Sequence, residues 1–115
     1  MLTNTIVLLI ASYDMDHLQR CVVSLSEDKY KSLMITVSAD DESITTCLGQ
    51  LFEKHINLSF GWIKPVLVDL VKEKDNMIAY YACNIPPGTD LIDAYYISAN
   101  IALIDNKARK SLSYV

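Results

Sequence analysis

The sequence predicts a single α+β domain, in which a mixed, mostly antiparallel sheet is flanked by helices. The chain has 115 residues, of which 51% are apolar and 21% charged, a composition that can bury a core and that disordered chains lack. Apolar runs of strand length alternate with short turn segments, and one stretch has the spacing of an amphipathic helix. The elements follow one another as β-β-β-α-β-β-β-α, an order that places all of residues 1–115 in one domain of this architecture.

The first half of the chain predicts three strands before a helix. Residues 5–11 (TIVLLIA) are a continuous β-branched and leucine run, which is typical of a strand buried on both faces. Residues 12–16 supply a turn, and residues 18–25 predict the partner strand of a hairpin. The polar residues 26–32 predict an exposed loop, which leads to a third strand over residues 33–37.

The helix is predicted over residues 41–55, after short capping side chains and acidic residues at 38–43. Asn57 suits a left-handed residue at its end. The apolar residues predicted to form its buried face are Ile44, Cys47, Leu48, Leu51 and Phe52.

The second half predicts three more strands and a closing helix. Pro65 suits the start of a strand or an edge strand, because proline cannot donate to a hydrogen-bond ladder. The predicted elements are a strand over 62–72, a turn at 72–76, a strand over 77–85, a break at 86–89, a strand over 95–98 and a helix over 106–114.

Charge and cysteine content exclude several functional classes. The net charge of −4 and the isoelectric point of about 4.9 argue against a nucleic-acid-binding protein, since phosphate affinity needs clustered lysine and arginine. Cys21, Cys47 and Cys83 lie in apolar runs and lack the spacing of a zinc site, so we predict buried thiols in a reducing compartment. A nucleophilic cysteine is the less favoured alternative.

The N-terminus predicts a cytoplasmic chain without membrane association. No basic segment precedes the apolar residues 6–11, and that stretch is too short for a signal peptide or a membrane span.

The order of elements and several segments resemble the Nudix fold, the family that includes MutT-like pyrophosphohydrolases. The opening hairpin at residues 5–25 resembles the family's first strand pair, and residues 44–54 resemble its catalytic helix. The strands around Trp62 and Tyr80, and the tail at residues 93–112, have the corresponding places. The resemblance covers almost the whole chain and implies a Nudix-like α+β fold.

The family's specific motif, G-x5-E-x7-R-E-U-x-E-E-x-G-U with U aliphatic, is degenerate in this sequence. In the family its glutamates hold a divalent metal that bridges the substrate's diphosphate. With Leu51 at the aliphatic position, Asp41 and Glu53 fall at glutamate positions of the motif and are acidic. At the other positions the sequence departs from the motif: Gly49 replaces the arginine, Gln50 the glutamate after it and Lys54 the last glutamate. The resemblance therefore implies no tight metal site, no cofactor and little ordinary Nudix hydrolysis.

Two interpretations compete for the acidic and basic residues of the helix. In a divergent hydrolase, Asp41, Glu42 and Glu53 would hold Mg²⁺, and Glu53 with His55 would be the catalytic residues. The alternative, which we favour, is capping by the acidic residues and a helix-dipole interaction for His55.

The aromatic residues are the candidate ligand-binding groups, because exposed rings can stack on a nucleobase or anchor a protein partner. Ordinary packing in the sheet and core is the alternative for each of them. The candidates are Trp62, Tyr80, Tyr81, Tyr95 and Tyr96.

Three functions are consistent with these observations. The first, which we favour, is a non-catalytic Nudix-like domain that binds a protein partner or a nucleotide-type ligand. The second is a divergent metal-dependent hydrolase of nucleoside diphosphate-linked substrates. The third is a small acidic inhibitor or adaptor, such as a viral protein that occludes a host enzyme. An exposed strand edge or apolar patch would also allow a homodimer.

Overall fold

A computed structural model of the chain describes residues 2–13, 19–38 and 43–98. Within these residues the predicted order of three strands, a helix and three strands is confirmed, and the helix predicted at 106–114 lies outside them. The elements are β1 (Thr3–Tyr13), β2 (Gln19–Ser26), β3 (Lys29–Ser38), α1 (Ile44–His55), a 3-10 helix (Phe60–Trp62), β4 (Val66–Glu73), β5 (Asn76–Asn84) and β6 (Tyr95–Ser98).

The described strands form one mixed sheet in the order β4-β5-β1-β3-β2-β6. Only β1 and β5 run parallel, from Thr3↔Asn76 to Ala11↔Asn84, and the other pairs in this sheet are antiparallel, as predicted. The β1–β2 hairpin is shorter than its sequence suggests, because β3 takes the edge of β1 from Thr3 to Leu8. β2 reaches β1 only beyond that point.

The buried core lies on both sides of β1, which explains its uninterrupted apolar run. Ile6, Leu8 and Ile10 face α1, and Val7 and Leu9 face the other side, each at most 3% exposed. The prediction of a strand buried on both faces is therefore confirmed. None of the described helices has the length and apolar character needed to cross a bilayer.

The predicted loop at 26–32 is wrong, because β2 and β3 are joined by a two-residue turn. Glu27 and Asp28 both have positive φ, 51° and 62°, as the tight turns favoured in hairpins require. Ser26 pairs directly with Lys29. The residues on either side of this turn belong to β2 and β3.

Helix α1 ends at His55, as predicted, but begins at Ile44 rather than at residue 41. Ser43 is its N-cap, and its hydroxyl accepts the Thr46 N–H at 3.2 Å. The predicted Ile44 contact with the core is wrong, since this first-turn side chain is 42% exposed. Asn57 is not left-handed, because the chain leaves the helix in an extended conformation at Ile56, and the Asn57 N–H donates to the Asp90 carbonyl at 3.0 Å.

The strand predicted from residue 62 starts four residues later. Trp62 belongs to the 3-10 helix and is 82% exposed, so the alternative of ordinary core packing is wrong for this residue. β4 follows Pro65 and lies at an edge of the described sheet, as the proline predicts. A bulge between Leu67 and Asp69 breaks the regular alternation of side chains that the sequence suggests.

The three cysteines are free and buried, as predicted. Burial in apolar surroundings disfavours the thiolate. It raises the pKa of Cys21 to about 11 and the pKa of Cys83 to about 12. These two thiols are therefore protonated and unreactive in the folded protein at neutral pH.

Candidate ligand-binding site

The exposed surface of α1 carries the residues of the degenerate motif. Glu53 is exposed, and its Oε2 accepts the Phe60 N–H at 3.2 Å. The Phe52 and Phe60 rings pack beside this contact with centroids 5.5 Å apart. The Glu53 carboxylate thus joins α1 to the 3-10 helix, which is a structural role that the sequence did not suggest.

The described residues of this surface do not fit a tightly held Mg²⁺. Glu53 shares its carboxylate with a backbone amide, Lys54 adds a positive charge beside it, and Gln50 offers only a neutral oxygen. Within residues 2–13, 19–38 and 43–98, no three His, Cys, Asp or Glu side chains converge as a metal site would need. The other two predicted ligands, Asp41 and Glu42, lie outside the described residues.

His55 lies in the core rather than on the exposed surface of α1. It is 8% exposed, and its Nδ1 lies 3.0 Å from the Ile92 carbonyl oxygen, to which it donates. The Ile92 N–H donates back to the His55 carbonyl at 2.8 Å. The side chain therefore holds the end of α1 against the segment before β6, a geometry that does not suit a general base in contact with substrate.

Four of the five predicted aromatic residues do not meet at one site. Tyr80 and Tyr81 are half-buried and pack against the two opposite sides of the sheet. Tyr95 is 49% exposed and makes an edge contact with Tyr30, at 6.4 Å between centroids. Trp62 lies exposed beyond α1.

Tyr96, the fifth, lines a cavity of about 170 Å³ where β1, β2 and β6 meet. We call it the Tyr96 cavity. β1 contributes its last two residues, β2 contributes Arg20, and the loop after β5 closes one side. The lining residues are Ser12, Tyr13, Arg20, Pro87, Gly88 and Tyr96.

The Tyr96 ring is held in place by the loop that it faces. Its hydroxyl donates to the Thr89 carbonyl at 2.7 Å, and the Thr89 hydroxyl donates to the Pro86 carbonyl at 2.7 Å. Burial, reinforced by the negative charge of Asp90, raises the pKa of Tyr96, although the hydrogen bond to Thr89 acts in the opposite direction. The phenol therefore remains a protonated donor at neutral pH.

The opposite wall of the Tyr96 cavity is set by strand register. Ser12 pairs with Arg20, and Tyr13 pairs with Gln19, whose Nε2 donates to the Tyr13 hydroxyl at 3.4 Å. Arg20 is exposed, so a positive charge lies at the mouth of a cavity that Tyr96 and Tyr13 line. No pattern in the sequence marks the other five lining residues, because strand pairing and the loop after β5 bring them together only in the fold. These residues are Ser12, Tyr13, Arg20, Pro87 and Gly88.

A second, more open groove of about 430 Å³ lies at the end of α1. Its lining residues are Glu53, Ile56, Asn57, Leu58, Ser59 and Ile92. The groove contains the hydrogen-bonded Glu53 and has neither an aromatic ring nor a cation among its lining residues. The Tyr96 cavity therefore has the more specific recognition chemistry of the two.

The sequence matches no protein-family model, and a search of characterised proteins finds no match. Solved structures do resemble the chain. A Nudix-family hydrolase from Clostridium perfringens has a TM-score of 0.68 at 9% identity, over 99% of this chain and 95% of that one. The C-terminal domain of mouse MUTYH, solved in complex with human PCNA, has a TM-score of 0.71 at 8% identity, over 99% and 86% of the two chains.

The NUDIX domain of Shewanella oneidensis NrtR, solved with ADP ribose, has a TM-score of 0.61 at 9% identity, over 85% of this chain and 73% of that one. At such low identities a structural likeness demonstrates the fold. The chain therefore has the Nudix fold that its sequence resembles.

Proposed function

We propose that this chain is a non-catalytic Nudix-fold binding domain, and that the Tyr96 cavity takes the ring of a nucleotide-type ligand. The observation that carries the proposal is the meeting of Tyr13, Tyr96 and Arg20 around one cavity. The aromatic ring of Tyr96 suits a flat heterocycle, and an arginine at the mouth suits an anionic phosphate group.

The size of the Tyr96 cavity limits what enters it. At about 170 Å³ it is smaller than pockets that enclose a drug-sized molecule, which start at about 300 Å³. One ring fits, and the sugar and phosphates of a nucleotide would extend outside, towards the exposed Arg20. The NrtR domain bound to ADP ribose is a precedent for such a ligand on this fold.

A direct binding experiment tests the proposal. We expect ADP ribose or AMP to raise the unfolding temperature without Mg²⁺, by an amount equivalent to about 2.7 kcal/mol at a concentration of 100 times the dissociation constant. Arg20→Ala should weaken phosphate-bearing ligands but spare the nucleoside, and Trp62→Ala, remote from the cavity, is the matched control. Absence of saturable binding by any nucleotide would reject the proposal.

The hydrolase alternative predicts a different result. It requires Mg²⁺-dependent release of phosphate or nucleoside monophosphate, and loss of that release in Glu53→Gln. Glutamine keeps an oxygen for the Phe60 N–H but removes the charge that a metal needs. A Glu53→Gln protein as active as the parent would eliminate Glu53 as a ligand, and product release abolished by this substitution would favour the hydrolase.

Protein binding is the second candidate, and exposed Trp62 is the observation that favours it. Tryptophan is enriched among residues that dominate interface energies. The MUTYH domain in complex with PCNA is a precedent for a protein partner on this fold, and an acidic inhibitor or adaptor would belong to the same class. A stoichiometric partner captured by the parent and lost with Trp62→Ala, but retained with Arg20→Ala, would establish it.

A further inference from the structure

β4 is an edge strand of the described sheet and carries exposed apolar side chains. Val66 is 57% exposed, Leu67 48% and Leu70 54%. An edge of this kind offers unpaired backbone groups and apolar surface to another strand. The question is which strand it fits.

The bulge in β4 brings Leu67 and Leu70 to one face. Leu67 pairs with Tyr81 of β5, and Leu70 pairs with Ala79. These partners are two residues apart, so they share a face of the sheet. In a regular strand Leu67 and Leu70, three residues apart, would face opposite sides.

The same shift places two valines on the other face, one on each side of Asp69. Val66 pairs with Ala82 and Val71 with Ile78, and these partners also share one face. The side chains on the two halves of β4 are therefore arranged symmetrically about the bulge.

This symmetry makes β4 complementary to itself. In an antiparallel pairing centred between Val68 and Asp69, Leu67 of each copy would face Leu70 of the other, and Val66 would face Val71. Lys64, just before the strand, would face Glu73 with opposite charge. A twofold axis doubles each of these pairs, and apolar and opposite-charge pairs are those that stabilise neighbouring antiparallel strands.

Asp69 opposes this pairing at its centre. Its Oδ1 accepts the Leu70 N–H at 2.8 Å, so this edge amide is already hydrogen-bonded within β4. The axis would also bring the Asp69 carboxylates of the two copies close together, where like charges repel. A bulge and a charged side chain on the edge strand are two devices with which sheets protect an edge.

We propose that β4 fits a second copy of this chain in the antiparallel register centred between Val68 and Asp69, and that the Asp69 carboxylate on the Leu70 amide keeps the two copies apart. The full chain should therefore be monomeric, and Asp69→Ala should join two copies through β4.

Sedimentation over a range of concentrations tests the role of Asp69. We expect the dimer dissociation constant of Asp69→Ala to fall at least about tenfold below that of the parent, on the scale of one hydrogen bond to a charged group. Asp75→Ala, which removes the same charge in the adjoining turn, is the matched control and should stay monomeric. A parent that is already dimeric, or an Asp69→Ala protein as monomeric as the parent, would overturn the proposal.

A charge exchange tests the register. In the Asp69→Ala background, Lys64→Glu should weaken the dimer by opposing Glu73, and adding Glu73→Lys should restore it. A dimer whose dissociation constant is unchanged by both substitutions would use another surface, which would contradict the proposed register. If Asp69→Ala does not fold, Asp69→Asn replaces it in the test. Asparagine keeps an oxygen for the Leu70 N–H but removes the charge. Its dimer should therefore be stronger than that of the parent, by less than the tenfold expected of Asp69→Ala. A folded Asp69→Asn protein as monomeric as the parent would also overturn the proposal.

Discussion

The surface of α1 and the Tyr96 cavity differ in what their polar groups do. On α1, Glu53 holds the Phe60 amide, and buried His55 holds the Ile92 carbonyl. At the Tyr96 cavity, the hydrogen bond from Tyr96 to Thr89 holds a ring that still faces the cavity. On α1, structural hydrogen bonds occupy the two side chains that metal binding or proton transfer would need. At the Tyr96 cavity, the hydrogen bond instead orients a ring that a ligand can contact.

The strongest test of this contrast is removal of the packing beneath α1. Phe52 is 0% exposed and contacts Phe60. Phe52→Ala should lower the free energy of unfolding by about 3–5 kcal/mol, because it removes a large buried ring and leaves a cavity. Urea unfolding measures this loss. A cost below about 0.5 kcal/mol, the usual range of surface substitutions, would mean that α1 is not anchored as described.

Tyr96→Phe tests the wall of the Tyr96 cavity with a smaller expected effect. It leaves the ring but removes the hydrogen bond to Thr89, which should cost about 1 kcal/mol of stability. Nucleotide affinity should fall with it, because the loop at residues 86–89 loses its tie to β6. Tyr95→Phe, at an exposed neighbouring position, is the control and should change neither quantity.

Glu53→Ala should have a still smaller effect, since the carboxylate is exposed. We expect a loss of about 0.5–1 kcal/mol from the missing hydrogen bond to Phe60, largely retained in Glu53→Gln. Lys54→Ala on the next position should be neutral. Equal destabilisation by Glu53→Ala and Glu53→Gln would show that charge, rather than the acceptor oxygen, is what matters at this position.

The spacing of apolar residues predicted most strands and the helix, because it determines which face of each element is buried. The apolar run at residues 5–11 correctly predicted a strand that is buried on both faces, and the four residues of β6 were predicted without error. Two features were not predicted, because each depends on how one strand pairs with another. They are the tight turn at Glu27 and Asp28 and the bulge in β4.

The candidate site was less predictable for the same reason. Tyr96 was among the predicted ligand-binding residues, but nothing near it in the sequence indicates that Tyr13 and Arg20 lie across from it. Their proximity follows from the pairing of β1 with β2 and of β2 with β6. Sequence alone also cannot reveal that Glu53 is engaged by an amide seven residues away.

Two of the three buried thiols, those of Cys21 and Cys83, provide the last comparison, between the two sides of the sheet. Cys83 packs on the side of α1 and Cys21 on the other, with pKa values raised to about 12 and about 11 from 9.0. Because the unfolded chain ionises these thiols at lower pH than the folded one, their contribution to stability is complete below pH 9.0 and is lost as pH rises through 11 and 12.

We therefore expect no reaction of either folded thiol with a thiol-specific reagent at neutral pH, and full reaction in denaturant. As pH rises above 9.0, Cys21 should become reactive before Cys83, because its folded pKa is the lower of the two. Cys21→Ala and Cys83→Ala, each in a Cys47→Ala background that removes the third buried thiol, assign the two phases. Rapid labelling of Cys83 at neutral pH would mean that the core beside α1 opens readily and that α1 is not anchored as described.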